Sequence, residues 1–285
     1  MHLPTPHLDD DEGFHSAVLL YCESILELHW NERLINKVFG KAMQSHAAGR
    51  VVIQHCRSLE FGEPPPTTSS ILAGTASGRR SVASFLLLLR VVGMLRAGIS
   101  AHDARQRPLI PQPRLLDGLR HWLAHHLRCA HALGLADASD ADALRDDAKF
   151  FQAYVARSGW ILDELAAHQS RFPASQWFDS REGGHRIALW LMQAHARAWL
   201  APAHREQPVL FELKAQAIAD GLGLSLTHVH SVLRDATQRG YLVADTPRGQ
   251  GRLSATFHED YRAWLTTSLG WFAETARMTR AALQR

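Results

Sequence analysis

The chain has 285 residues, 46% of them hydrophobic and 21% charged, with a formal net charge of +3 and a pI near 8.9. That composition is typical of a globular protein with one large domain or two ordinary ones. No apolar run approaches the roughly 20 residues of a membrane span, and the first residues lack the pattern of a secretory signal. With only three scattered cysteines, we expect a cytoplasmic protein. Because no apolar run is long enough for a span, we expect no membrane contact.

The first half of the chain predicts a series of helices interrupted by polar breaks. Residues 1–13, rich in proline and acidic residues, indicate a flexible arm. Apolar positions recur at helical spacing from Phe14 to about His29, and a second helical stretch follows at 33–61. The run "GEPPPTTSS" then excludes a helix. The motif at 71–95, a proline-rich stretch and a helix at about 115–135 follow.

The second half repeats this order. A helical stretch, a polar break and a second helix lead to a short strand, a second motif at 218–242, a strand–turn–strand segment, and a final helix from Glu259. Small and acidic residues in "GLADASDADALRDD" indicate the junction. We therefore predict repeats at 14–136 and 137–285.

The two motifs align without a gap. Residues 71–95 lie over 218–242, with Gly74 on Gly221, Ser84 on Ser231 and Gly93 on Gly240. A second block, "LRHWLAHHL" at 119–127, lies over "YRAWLTTSL" at 261–269. The offset falls from 147 to 142 between the blocks, so the first copy has five extra residues there, which favours a surface loop or wing.

The second motif has the pattern of two helices around a tight turn. Gly221 or Gly223 ends the first helix, Ser225 caps the next, and Gly240 ends it. The predicted inward stripe contains Leu226, Val229, Val232, Leu233 and Ala236. The segment "YLVADTPRGQGRLSATF" then predicts two strands joined by a turn.

This arrangement, in "KAQAIADGLGLSLTHVHSVLRDATQRGYLV" and the hairpin after it, resembles the winged helix-turn-helix of MarR-type bacterial regulators. The resemblance covers about 75 residues and implies a mostly α fold. It predicts two winged helix-turn-helix units with small β-hairpin wings, joined by scaffold helices into a pseudo-two-fold single chain.

The resemblance implies that double-stranded DNA is the partner, because a helix fits the major groove and a basic wing meets phosphates. In the second copy the candidate DNA-binding residues are Ser225, Thr227, His228, Ser231, Arg234, Arg248, Gln250 and Arg252. In the first copy they are Arg79, Arg80, Ser81, Ser84, Arg105 and Arg107.

The first copy carries an apolar outer face. Leu87, Leu88 and Val91 stand where the second copy is polar, and such a patch predicts a cover from the other half of the chain or a second molecule. Residues 71–113 nevertheless hold six Lys or Arg against one acid. The copy therefore either retains contact with a DNA backbone or has a structural role.

Other constellations carry less weight. His121, His125 and Cys129 share a helix face at ligand spacing, but 18 histidines make such coincidences common. We expect no metal site and no cofactor. The chain has no nucleophile-elbow, Walker-type or dinucleotide-binding pattern, so an enzyme is not expected.

We therefore predict a sequence-specific transcriptional regulator whose two repeats act as a pseudo-dimer within one chain. The protein would be a pseudo-dimeric monomer or a homodimer, and a small-molecule effector is compatible with it. Two alternatives remain: a replication-initiator-like DNA-binding protein, and a winged-helix module that binds protein partners. In the second, the Leu87/Leu88 face would be the contact.

Overall fold

A computed structural model describes residues 11–28, 38–39, 41–75, 78–99, 106–201, 208–245 and 248–285. The first part contains α1 (Asp11–Glu27), α2 (Ala42–Phe61), α3 (Thr68–Ala73), α4 (Arg79–Val91), β1 (Leu95–Ala97), β2 (Leu109–Pro111) and α5 (Pro113–Ala132). The middle contains α6 (Asp140–Asp146), α7 (Ala148–Arg157), α8 (Gly159–His168), a 3₁₀ turn (Gln169–Arg171), α9 (Pro173–Asp179) and α10 (Gly184–Leu200). The last part contains β3 (Phe211–Glu212), α11 (Ala215–Leu222), α12 (Leu226–Gln238), β4 (Leu242–Asp245), β5 (Gln250–Leu253) and α13 (Ala255–Leu283).

The fold is mostly helical with two small antiparallel sheets, which confirms the mostly α expectation. Among the described residues, no helix combines the length and apolar character that crossing a bilayer requires. Two helices begin earlier than the sequence predicts. Helix α1 begins at Asp11, inside the expected arm, and α13 begins at Ala255, ahead of Glu259.

The chain forms two compact units, and neither is a continuous half. Unit 1 comprises the described parts of Met1–Lys37, Cys129–Leu135 and His168–Gly270. Unit 2 comprises those of Val38–Arg128, Ala136–Ala167 and Trp271–Arg285. The sequence prediction instead divided the chain once, between residues 136 and 137. The physical reason for the difference is helix pairing, since α1 packs against α10 in unit 1 and α2 packs against α7 in unit 2.

In unit 1, α10 is the central helix. It contacts α1, α9, α11 and both β3 and β5, while α12 packs on α11 and β4. The sheet has the order β3-β5-β4 and is antiparallel throughout, with Leu242 opposite Leu253. The core includes the fully buried rings of Phe178, Phe257 and Tyr261.

Two local features set the position of α12. Gly223 has φ +64°, a left-handed conformation that glycine adopts readily, and it ends α11. Ser225 then begins α12, because its Oγ accepts a hydrogen bond from the backbone N–H of His228 at 3.2 Å. Both features match the sequence prediction.

In unit 2, the helices and strands of residues 42–111 pack around α2. That helix contacts α3, α4 and β2, and α4 packs on β1. Strands β1 and β2 pair antiparallel, and a single bridge from Thr67 to Pro108 extends the pairing. Helices α4 and α12 each contain 13 residues and begin 147 positions apart, whereas α5 and α13 begin 142 positions apart.

Candidate nucleic-acid interface

Helix α12 presents a polar outer face. Thr227 is exposed, Ser231 is partly exposed, and two thirds of the Arg234 side chain is accessible. Arg234 donates to Ser231 Oγ at 3.2 Å and lies 3.5 Å from an Asp235 carboxylate oxygen. Exposed contacts of this kind contribute less than about 1 kcal/mol, so the guanidinium can exchange them for a ligand.

Two of the predicted residues on this helix have other partners. The ring of His228 is half-buried, and its Nε2 lies 2.8 Å from the carbonyl oxygen of Glu182. It therefore points toward the turn before α10, not outward as the sequence suggested. The hydroxyl of Ser225 is used as the helix cap. The side chains of Ser225 and His228 therefore make contacts at the start of α12 and are not part of its outer polar face.

The hairpin after α12 carries the predicted wing residues. Arg248 is exposed and lies 3.6 Å from Asp245. Gln250 and Arg252 alternate outward along β5 while Gly251 and Leu253 face inward. Arg252 is therefore a strand residue and does not lie at the tip. Residues 246 and 247 lie outside the described residues.

Sequence reasoning missed two arginines beside the end of α12. The guanidinium carbon of Arg181 lies 3.7 Å from the ring centroid of Trp177, and that of Arg239 lies 5.5 Å from the same ring. Partial burial, and then the charge of Arg239, lower the pKa of Arg181. For Arg181 the signal was in the segment "RFPASQWFDSREGG", which was predicted to be only a polar break.

The first copy also exposes its predicted residues. Arg79, Arg80, Ser81 and Ser84 are all exposed at the start of α4, which Gly78 begins with φ +72°. Arg107 is exposed before β2, and the predicted Arg105 lies outside the described residues. A helix start offers unpaired backbone N–H groups, and with two arginines it suits a phosphate.

The later outer face of α4 is apolar and accessible. Leu87, Leu88 and Val91 are 57%, 38% and 76% exposed. These exposures agree with the outward orientation expected from the helical pattern. The expected covering surface stays a prediction.

A separate cavity in unit 1 brings together three histidines. His15 from α1, His195 from α10 and His258 from α13 line a space of about 350 Å³. Burial lowers the pKa of His15 to about 4 and that of His195 to about 3. The pKa of His258 is lowered for the same reason, with a further contribution from Arg262. Sequence reasoning missed this group, because its members are 180 and 63 residues apart.

The side chains of the sequence pattern His121, His125 and Cys129 on α5 differ in exposure. His121 on α5 is exposed, whereas Cys129, two turns later, is fully buried. His126 is buried, with Nδ1 2.8 Å from the carbonyl oxygen of Trp122. In the described part of the chain, the only cluster of metal-ligating side chains is the cavity of His15, His195 and His258.

Comparisons with models of protein families, with curated proteins and with solved structures give no match. Within this chain, the side chains of Thr227, Ser231 and Arg234 share one face of α12, and those of Arg248, Gln250 and Arg252 share the hairpin that follows it.

Proposed function

We propose that this protein is a sequence-specific, double-stranded-DNA-binding transcriptional regulator of MarR-like winged-helix type. The observation that carries the proposal is the outer face of α12, with Thr227, Ser231 and Arg234 accessible beside a basic hairpin. A helix of 13 residues is about 20 Å long and can lie in a major groove. In this proposal α11 and α12 form the helix-turn-helix and β4–β5 the wing.

The chemistry of the exposed groups favours base recognition on α12. Arginine binds the two acceptors of guanine in a bidentate manner, and the hydroxyls of Thr227 and Ser231 can donate or accept at base edges. Arg248 and Arg252 would contact phosphates and contribute affinity without sequence preference. Arg239 and Arg181 add positive charge beside the end of the same helix.

The matched spacing of elements supports an internal duplication. We infer that unit 2 contains a second winged helix, built from α3, α4, β1 and β2. Regulators with this motif generally bind two half-sites as two-fold dimers. Two unlike copies in one chain would suit an asymmetric or imperfect site, with α4 contributing backbone contacts. A cytoplasmic location belongs to the same proposal.

Selection of duplexes from a random-sequence pool tests the proposal directly. The full chain is expected to enrich one motif and to bind it at least about 10³-fold more tightly than unrelated duplex at physiological salt. Enrichment of no motif, with binding only at the non-specific level, would refute it. Genomic footprinting then separates a regulator, with single sites at promoters, from an initiator, with clustered tandem repeats.

The exposed apolar face of α4 favours a second candidate function. Leu87, Leu88 and Val91 form a patch that suits a protein partner better than DNA. In that case the winged helices would be an interaction module. Capture of a partner that survives nuclease treatment, and is lost when Leu87 and Leu88 are replaced by serine, would support this candidate over DNA binding.

A further inference from the structure

The histidine cavity of unit 1 has the geometry of a ligand set. One nitrogen from each ring of His15, His195 and His258 lies within 4.8 Å of the others. The ring centroids are 5.1 to 5.4 Å apart, so the three imidazoles form a nearly equilateral triangle. Three nitrogens around one point is an arrangement that a single cation could occupy.

Each ring also has a buried nitrogen without a hydrogen-bond partner. These atoms are Nδ1 of His15, Nδ1 of His195 and Nε2 of His258. His15 is 2% exposed and His195 is 9% exposed. A buried polar atom left unpaired costs about 1–3 kcal/mol, and folded proteins rarely tolerate several together. A packed aromatic cluster without a ligand would leave all three atoms unsatisfied.

We propose that His15, His195 and His258 bind one divalent transition-metal ion, and that Zn²⁺ is the best match. Imidazole nitrogen is a preferred ligand of Zn²⁺, with Zn–N distances of about 2.0–2.1 Å. Tetrahedral coordination at that distance places the nitrogens about 3.3 Å apart. Because the three nitrogens lie within 4.8 Å of one another, binding would require ring rotations and small helix adjustments that shorten each separation by up to about 1.5 Å.

Packing in unit 1 brings two of the three rings to the same cavity. The ring of His15 stacks on Trp199, with centroids 4.3 Å apart and an interplanar angle of 25°. Helices α1 and α10, which carry His15 and His195, pack along each other. Support of this kind limits the freedom that the ligands lose on binding, although the rings must still rotate to close around an ion.

With three histidine ligands, the proposed site would have a fourth coordination position for another ligand. The cavity wall also contains Asp11, Glu259 and Arg262, and the carboxylate of Asp11 is paired with Arg262 at 2.6 Å. Three protein ligands with a water or an anion in the fourth position is a common zinc arrangement. Arg252 and Leu253 of β5 line the same space, and the three ligands would join α1, α10 and α13 within unit 1.

Metal titration of the untagged full chain tests this site. After treatment with a chelator, the protein is titrated with Zn²⁺ in competition with a chromophoric chelator. One ion per chain is expected, with a rise in the unfolding temperature as binding stabilises the folded state. Replacement of His195 by Gln should lower the affinity at least about 100-fold, more than the loss of an outer-shell partner. The matched control is His121→Gln, which removes an exposed histidine from α5.

Either of two titration results would overturn the proposal: substoichiometric binding by the unmodified protein, or equal affinity losses in His195→Gln and His121→Gln. If His195→Gln fails to fold, His258→Gln removes a less buried ring and answers the same question. Co²⁺ absorption of the unmodified protein needs no variant. Intense visible bands of a four-coordinate ion are expected, and the weak bands of a six-coordinate ion would contradict the site.

Discussion

Helices α12 and α4 have similar buried faces and different outer faces. Each has 13 residues and buries four side chains at the same positions. These are Val229, Val232, Leu233 and Ala236 in α12, and Val82, Phe85, Leu86 and Leu89 in α4. On the outside, Arg234 corresponds to Leu87, Asp235 to Leu88 and Gln238 to Val91.

This difference separates what packing requires from what a ligand requires. The buried positions keep their apolar character in both helices, because each must cover a small core formed with its neighbouring helix and strand. The outer positions carry no such constraint, so they can acquire or lose a binding surface without loss of the fold. We therefore propose different roles for the two helices. Helix α12 would select the base sequence, and the first turn of α4 would bind the DNA backbone.

The largest expected effect on DNA binding by a single side chain comes from Arg234. Arg234→Ala should remove about 1–3 kcal/mol of discrimination at one base pair, a loss of roughly 5- to 150-fold in preference for that base. Competitive binding to the selected duplex and its single-base variants measures this. Leu87→Ala, at the matching position of α4, should leave the preference unchanged. Equal effects of the two substitutions would abolish the distinction between the helices.

The hairpin is expected to contribute affinity without preference. Replacing Arg248 and Arg252 together by Ala should weaken binding to all duplexes, because both would neutralise phosphates. The slope of log K against log salt should flatten by about 2, close to one unit for each contact. The control Arg277→Ala/Arg285→Ala removes the same formal charge from the end of the chain. A slope that stays unchanged in the wing variant assigns the phosphate contacts elsewhere.

Much of the fold could be predicted from the sequence, because the signals are local. The turn glycine at 223, the cap at Ser225 and the 3.6-residue apolar period fix the bounds of α11 and α12 to within a few residues. The same logic placed β4 and β5. The assembly of each unit from three separate chain segments could not be predicted, because the pairing of α1 with α10 depends on how two distant apolar stripes fit together.

The candidate sites also differ in whether local sequence patterns predict them. Outward positions on a helix follow from spacing alone, which is why Thr227 and Arg234 were found. The ring of His228 turns toward the Glu182 carbonyl, a contact 46 residues away that spacing does not reveal. His15, His195 and His258 come from three separate segments, and no local motif joins them.

A smaller effect is expected at the first turn of α4. Arg80→Ala should reduce the salt slope by about one unit and lower the affinity equally for specific and unrelated duplexes. The reason is that Arg80 and Arg79 lie at a helix start, where backbone N–H groups already favour a phosphate. The matching residue in α12 is Thr227, and Thr227→Ala should change base preference more than the slope. An altered base preference in Arg80→Ala would show that α4 also selects sequence.

The smallest expected effect is on stability, at the outer face of α4. The triple variant Leu87→Arg/Leu88→Asp/Val91→Gln gives α4 the outer side chains of α12. Because these three positions are exposed, the free energy of unfolding should change by no more than about 0.5 kcal/mol. Leu86→Ala, one residue away but 1% exposed, should cost about 2–5 kcal/mol in the same denaturant titration. A loss of several kcal/mol in the triple variant would mean that the apolar face is covered in solution, and sedimentation at several concentrations would then show whether a second copy covers it.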